Sequence, residues 1–309
     1  MTRLDQKLIS QLKGDGYPGR VVSIRHLPEL REEIMERKDK GLFNEDFFRE
    51  RLTFFSFQAP DIMPNARSII IVAVPSAQTP VKFKWSGKSI DLILPPTYRG
   101  FNRNIQNIDE YLSKLLAADG YGVVPARLPQ KLLTVRSGLA EYGRNNITYI
   151  SGLGSFFQPT IFYSDLPVED DIWSEPRRMA RCQSCKACLL KCPTGAIAED
   201  RFLLHAERCL VFHNERAATH PFPSWIDTTV HNSFMGCMIC QQYCPEDKPF
   251  LDWFEGDEEF SEEETALLLG GVARDQISKE MYQKLDRLEV LDDLDKFPRN
   301  LGVFIRSIQ

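Results

Sequence analysis

All eight cysteines of this 309-residue chain fall between Cys182 and Cys244, and residues 1–180 contain none. The first set reads Cys182-x2-Cys185-x2-Cys188-x3-Cys192-Pro193; the second is Cys209, a long gap, then Cys237-x2-Cys240-x3-Cys244-Pro245. This is the spacing of thiolates gathered on [4Fe–4S] cubes, which need four ligands converging from different directions. A C-x2-C-x2-C loop wraps three corners of one cube, and the cysteine before proline serves the neighbouring cluster. The expected partition is Cys182, Cys185, Cys188 and Cys244 on cluster one, and Cys192, Cys209, Cys237 and Cys240 on cluster two.

Other cysteine chemistries fit less well. Disulfides are disfavoured by the crowding of C-x2-C pairs and by the expected compartment. Eight thiolates would satisfy two structural zinc ions, but zinc needs neither the triple run nor the proline after its last member. Small ferredoxins carry two equal motifs. Here the second half lacks its close-set first cysteine, and Cys209 supplies it from far upstream. The intervening segment, with Glu215, Arg216, Pro221, Pro223, Trp225 and His231, is an insertion expected to pack on the N-terminal part.

The elements that must position these ligands read as α/β. Residues 29–38 and 44–54 have helical patterns, and the apolar run 68–74 reads as a buried strand. Ile108, Tyr111, Leu112, Leu115 and Leu116 recur at helical spacing over 107–118, with Gly120 as a stop signal. A strand at 123–124, a helix over 129–141 and strands at 147–150 and 160–163 follow. Such alternation predicts a sheet covered by helices. From Glu255 the chain turns acidic, then helical to Gln309, and the acidic run reads as a solvated helix entry.

Composition sets outer bounds. Hydrophobic residues make up 43% and charged residues 26%, and the formal net charge is −5, so the chain does not advertise nucleic-acid or anionic-membrane binding. Residues 1–16 show no apolar signal segment, and the run 69–74 is too short to cross a bilayer, so a cytoplasmic location without membrane attachment is expected. His26, His205, His213, His220 and His231 show no metal-ligand spacing. Arg177, Arg178, Arg181, Lys186 and Lys191 surround the first motif and would steer an acidic electron donor such as a ferredoxin or flavodoxin.

The asymmetric cysteine pattern resembles the double-cluster module of the epoxyqueuosine reductase family, itself similar to reductive dehalogenases. Upstream, SGLAEYGRNNI at 137–147 is similar to the family stretch AGLGWIGKN, and GLGS at 152–155 followed by SDLP at 164–167 echoes its glycine-serine strand and closing TDLP. The resemblance covers roughly residues 60–250 and implies a nitroreductase-like cobalamin-binding domain. It also implies that the clusters reduce cobalamin to its nucleophilic Co(I) state. Gly138, Leu139, Gly143, Asn145, Asn146, Gly154 and Ser155 are the cofactor-binding residues it implies, the glycines allowing close backbone approach and the polar groups meeting an amide periphery.

Two departures bear on the substrate. Family reductases carry an acidic proton donor upstream of the glycine matched by Gly138, whereas residues 124–129 read VPARLP. Tyr98, in the segment corresponding to another active-site loop, is the candidate replacement acid. The tail after Cys244 is short and largely acidic, which weighs against transfer RNA.

The expected organisation is therefore an α/β (α+β) cobalamin-binding domain at 1–175, a ferredoxin-like double [4Fe–4S] domain at 176–254 and a short helical tail at 255–309. The expected function is a cobalamin-dependent iron–sulfur oxidoreductase acting on a small molecule. The alternatives are an electron-transfer protein that reactivates a corrinoid-protein partner, and an epoxyqueuosine reductase acting on transfer RNA.

Overall fold

Residues 68–75, SIIIVAVP, are apolar on both faces of a strand, which demands cover on both sides of any sheet they enter. The computed structural model, which describes residues 3–168 and 171–306, supplies that cover. The outermost positions of the expected first segment and tail, 1–2 and 307–309, lie outside the described residues. Strands β1 (Gly19–Ser23), β2 (Ser68–Pro75), β3 (Thr79–Trp85), β4 (Lys88–Leu94), β5 (Val123–Pro125), β6 (Glu141–Tyr142), β7 (Thr148–Tyr149), β8 (Phe157–Ser164) and β9 (Glu258–Phe260) form three sheets.

The chain contacts divide these residues into two compact units that interleave in sequence: 1–75, 102–186 and 201–203 in one, and 76–101, 187–200 and 204–309 in the other. The first unit holds a four-stranded antiparallel sheet in the order β1-β2-β8-β5. One face, with Ile69, Ile71, Ile161 and Tyr163, packs under Leu27, Leu30 and Ile34 of the helix Leu27–Asp39 and under Leu132 and Leu133. The other face, with Ile70, Val72 and Phe162, is covered by Leu8 and Leu12 of the helix Leu4–Gly14 and by Ile108, Leu112 and Leu116 of the helix Phe101–Ala117. This is the helix-covered sheet that the alternation predicts.

The helix predicted over 129–141 ends sooner, at Gln130–Arg136, because Gly138 takes a left-handed φ of 68° and the chain turns into β6. The freed segment 137–155 becomes a run of turns that carries the candidate cofactor residues, of which Leu139, Gly143, Asn145, Gly154 and Ser155 are buried while Gly138 is exposed.

The second unit is built around a hairpin absent from the sequence reading. Strands β3 and β4 pair antiparallel, with Val81 opposite Leu92 and Phe83 opposite Ile90. The tail strand β9 adds in parallel to β3, joining Val81 to Glu258 and Phe83 to Phe260. Phe83 and Phe260 stack with ring centroids 5.1 Å apart, and Phe234 and Phe297 close the same core. The tail helices Glu262–Gly270 and Lys279–Leu288 contribute Leu268, Met281 and Leu285 to it.

The acidic run does enter a helix. Ser261 and Glu264 form a reciprocal capping box, with Glu262 and Glu263 in the first turn. Two of its carboxylates are spent on packing rather than left to water: Glu264 meets Lys284 at 2.8 Å, and Glu258 pairs with Arg287 at 2.5 Å. Among the described residues no helix is long and apolar enough to cross a membrane.

Candidate iron–sulfur site

The chain enters the first cysteine motif along β6. Tyr142 N–H donates to Arg177 O at 3.0 Å, and Met179 N–H donates back to Tyr142 O at 2.9 Å. A tight turn, Ala180–Gln183, then carries Cys182, whose N–H donates to Met179 O at 2.9 Å, while Cys185 N–H reaches Arg181 O at 3.2 Å. The carbonyls of these two cysteines face Arg144. Its Nε donates to Cys185 O at 3.1 Å and its Nη2 donates to Cys182 O.

The basic ring expected around this motif is partly committed elsewhere. Arg178 donates to the carbonyls of Arg201 and Phe202 and lies 5.0 Å over the Phe202 ring, and Arg177 pairs with Glu141 at 2.9 Å. Arg178 is a brace for the loop at 201–203 before it is a steering charge.

Within the second unit, two short helices, Ala187–Lys191 and Ile239–Gln242, pack on each other and carry Cys188 and Cys240, with Cys192 and Cys244 just past their ends. Cys192 N–H donates to Cys188 O at 3.0 Å, and Cys244 N–H to Gln241 O at 2.9 Å. Asn232 Nδ2 points at Cys237 Sγ from 3.2 Å. Burial pushes the Cys237 thiol upward in pKa, opposed by that amide and by the Ile239 N–H, with Cys192 close enough to add repulsion.

The insertion between Cys209 and Cys237 is clamped by the tail and by the β3–β4 segment. Asn300 Nδ2 donates to the carbonyls of Asn214 at 3.0 Å and Phe234 at 2.8 Å, and Arg299 reaches the carbonyls of Asn214, Arg216, Ala217 and His220. Asn214 Nδ2 in turn donates to Gly236 O at 2.7 Å, next to Cys237. Ser233 Oγ donates to Ile93 O at 2.6 Å. Gly236 has a φ of 73°, and a Cβ there would stand 2.5 Å from the Tyr98 ring, so only glycine fits.

Tyr98 itself donates its hydroxyl to Glu215. Burial, followed by the Glu215 charge and the nearby Cys209 and Cys237, pushes its pKa well above the ordinary tyrosine value. A hydroxyl held this way keeps its proton, and the structure seats Tyr98 beside the second cysteine set. A separate open groove of about 650 Å³ is lined by Pro193, Thr194, Gly195, Glu207, Arg208, His213 and Trp225.

None of the eight cysteines is in a disulfide, and each is partly buried. N–H donors aimed at Cys237 sulfur are what an anionic cluster thiolate requires. The donor set fits the clusters.

The segment implied for cobalamin is ordered by its own contacts. A Cβ on Gly143 would fall 2.4 Å from Asn145 Oδ1 and 2.5 Å from Tyr149 Cε2, so this glycine is required by the turn itself. Asn145 Nδ2 donates to Tyr149 Oη at 2.8 Å, and Asn146 Nδ2 donates to Phe202 O at 2.8 Å. Leu139 and Ser155 are buried. Gly138, Gly152 and Gly154 are left-handed, and a Cβ on Gly152 would meet nothing within 4 Å. Gly138 and Gly152 leave exposed backbone that a flat cofactor can approach, while both asparagine amides already hold protein groups. Residues 124–129 carry no carboxylate, as read from the sequence.

Residues 181–247 match the family model described as a 4Fe-4S double cluster binding domain, a span that contains all eight cysteines. Over nearly its whole length the chain superposes on epoxyqueuosine reductase from Streptococcus thermophilus, with a TM-score of 0.68 and 15% identity over 99% of this chain and 82% of that one. The structure of the Bacillus subtilis enzyme aligns with a TM-score of 0.67 and 19% identity over 97% and 80%. The chain has the epoxyqueuosine reductase fold. In sequence it is 23% identical to epoxyqueuosine reductase of Francisella cf. novicida over 60% of this chain and 54% of that protein. It is likewise 23% identical to that of a Synechocystis species over 62% and 66%. These alignments span about half to two thirds of the relatives' own length.

Arg144 is the site residue that the sequence reading passed over. The signal was present, because Gly143-Arg144-Asn145 falls on the family's Gly-Lys-Asn.

Proposed function

We propose that this chain is an iron–sulfur reductase in which two [4Fe–4S] clusters deliver single electrons to a cobalamin bound against residues 138–155. The carrying observation is a double-cluster segment at 181–247 on an epoxyqueuosine reductase fold. Cluster one takes Cys182, Cys185, Cys188 and Cys244; cluster two takes Cys192, Cys209, Cys237 and Cys240. Cobalamin supplies a reduced cobalt nucleophile that no side chain offers. The chain's own residues do the rest. The glycine backbone at 152–154 would hold the cofactor, with Leu139 and Leu153, which pack on the protein core, as the apolar residues of that turn, and the Arg144 turn holds the entry to the cluster loop.

Electrons come from a low-potential carrier of ferredoxin or flavodoxin type. Anaerobic protein reconstituted with iron and sulfide and then incubated with cobalamin should retain about one equivalent through gel filtration. Protein that holds its clusters but no cobalamin would refute the cofactor assignment and favour a pure electron-transfer role toward a corrinoid protein.

A second reading, reduction of epoxyqueuosine in transfer RNA, is favoured by the names of the relatives and by a similar enzyme solved with an epoxyqueuosine-modified transfer RNA stem loop. Against it stand the missing carboxylate at 124–129 and a Tyr98 proton held by Glu215. A positioned acid is worth roughly a hundred- to ten-thousand-fold in rate. The loaded protein should therefore leave an epoxyqueuosine-containing stem loop unconverted. Turnover that disappears in Tyr98→Phe would establish the second reading and Tyr98 as its acid.

A further inference from the structure

We propose that Arg144 is a positioning residue that orders the first cluster's loop and raises that cluster's reduction potential. Arg144 projects from a tightly bonded turn. Gly143 N–H donates to Ile147 O at 2.7 Å, Asn146 adopts a left-handed φ of 56°, and Asn145 is pinned at both ends of its amide, to Tyr149 Oη and to the Ile147 N–H. A Cβ at Gly143 would overlap Asn145 and Tyr149. With its backbone fixed on both sides, Arg144 projects in one direction only.

What it meets is the ligand loop. The guanidinium spans the carbonyls of Cys182 and Cys185 with two separate N–H groups, and the side chain is only 6% exposed. Arginine's planar fork suits a two-point contact that lysine cannot reproduce. Among the described residues no carboxylate pairs with Arg144, so its charge is not neutralised locally. The turn bearing the candidate cofactor residues is thereby tied to two of the cysteines assigned to cluster one.

Two consequences follow. The loop is held in the geometry that presents two thiolates, and a permanent cation sits in a poorly solvated setting beside a centre that gains negative charge on reduction. Such a charge favours the reduced form. In the redox step one electron passes from the external donor to the cluster. Arg144 neither gains nor loses an electron or a proton.

This inference rests on the iron–sulfur reading above, and the experiment separates the two. Wild-type, Arg144→Gln and Arg144→Lys proteins are reconstituted anaerobically, assayed for iron and sulfide, and titrated with dithionite under paramagnetic-resonance detection. Wild-type protein lacking clusters would overturn the underlying reading. With clusters present, Arg144→Gln should shift one of the two reduction waves negative and leave the other in place. At a fixed donor potential that cluster's reduced-to-oxidised ratio should fall at least about tenfold, equivalent to about 59 mV for one electron. Arg144→Lys should keep most of the potential yet release about half of its iron faster to a chelator, since it retains charge and loses the fork. Two unmoved waves in Arg144→Gln, or two waves moved equally, would overturn the proposal. Should Arg144→Gln give no soluble holoprotein, Arg144→Lys decides. Chelator release matching wild type would overturn the proposal, and selective loss of one cluster would uphold it.

Discussion

Replacing His231 by phenylalanine should make the protein less sensitive to acid. His231 is 8% exposed, and neither ring nitrogen has a hydrogen-bond partner in the structure. The ring sits among Phe222, at 4.5 Å between centroids, and Phe304. Burial, and then the charges of Arg299 and Arg306, push its pKa from 6.5 to about 4. A histidine whose folded value is depressed is neutral in both states above pH 6.5, where it costs no proton-linked stability. As the pH falls from there toward 4, the unfolded chain takes up the proton first and stability is lost. For values of 6.5 and about 4, the loss between pH 7 and pH 5 is about 2 kcal/mol, or roughly thirtyfold in the unfolding equilibrium. Phenylalanine removes this linkage. It also removes two unpartnered buried nitrogens, each costing about 1–3 kcal/mol when left unsatisfied. Denaturant unfolding of the anaerobic holoprotein, followed by visible cluster absorbance at pH 7 and pH 5, measures the difference between wild type and His231→Phe. The variant should match or exceed wild type at pH 7 and lose about 2 kcal/mol less on going to pH 5. Parallel pH dependence in the two proteins would refute the account of this ring.

Further outcomes follow from the ligand partition and its supports. Cys244→Ala should damage the cluster built mainly from Cys182, Cys185 and Cys188, while Cys209→Ala should damage the other; two intact paramagnetic signals in Cys209→Ala would reduce Cys209 to a buried thiol. Asn300→Ala leaves the buried carbonyls of Asn214 and Phe234 without this donor, a loss of about 1–3 kcal/mol. It should accelerate iron release from the Cys209/Cys237 side under chelator, and unchanged release would show that the clamp on 214–236 is dispensable.

The double-cluster segment was legible because cluster geometry constrains cysteine spacing tightly, and residues 181–247 match a 4Fe-4S double cluster binding domain. The strand at 68–74 and the helix at 107–118 were legible because local periodicity matches their burial. The β3–β4 hairpin was not read. Pro75 and Pro80 look like loop punctuation, although Val81, Phe83, Ile90, Leu92 and Leu94 alternate as half-buried strands do. Nothing local announces that β9, far along the chain, joins β3 in parallel or that the tail closes the same core. This pairing explains why the insertion 210–236, expected to lie on the N-terminal part, is gripped by Arg299 and Asn300 as well as by Tyr98 and Ile93. The asparagines at 145 and 146 show another limit. Their type suits a polar ligand, but whether an amide is already committed depends on Tyr149 and Phe202, which only the folded turn brings to it.

The central claim, two [4Fe–4S] clusters on eight cysteines, is tested most directly by metal and sulfide analysis of the anaerobic protein with paramagnetic resonance on the reduced form. The account requires about eight irons and about eight sulfides per chain and two interacting reduced-cluster signals. About two zinc ions with no labile sulfide would contradict it.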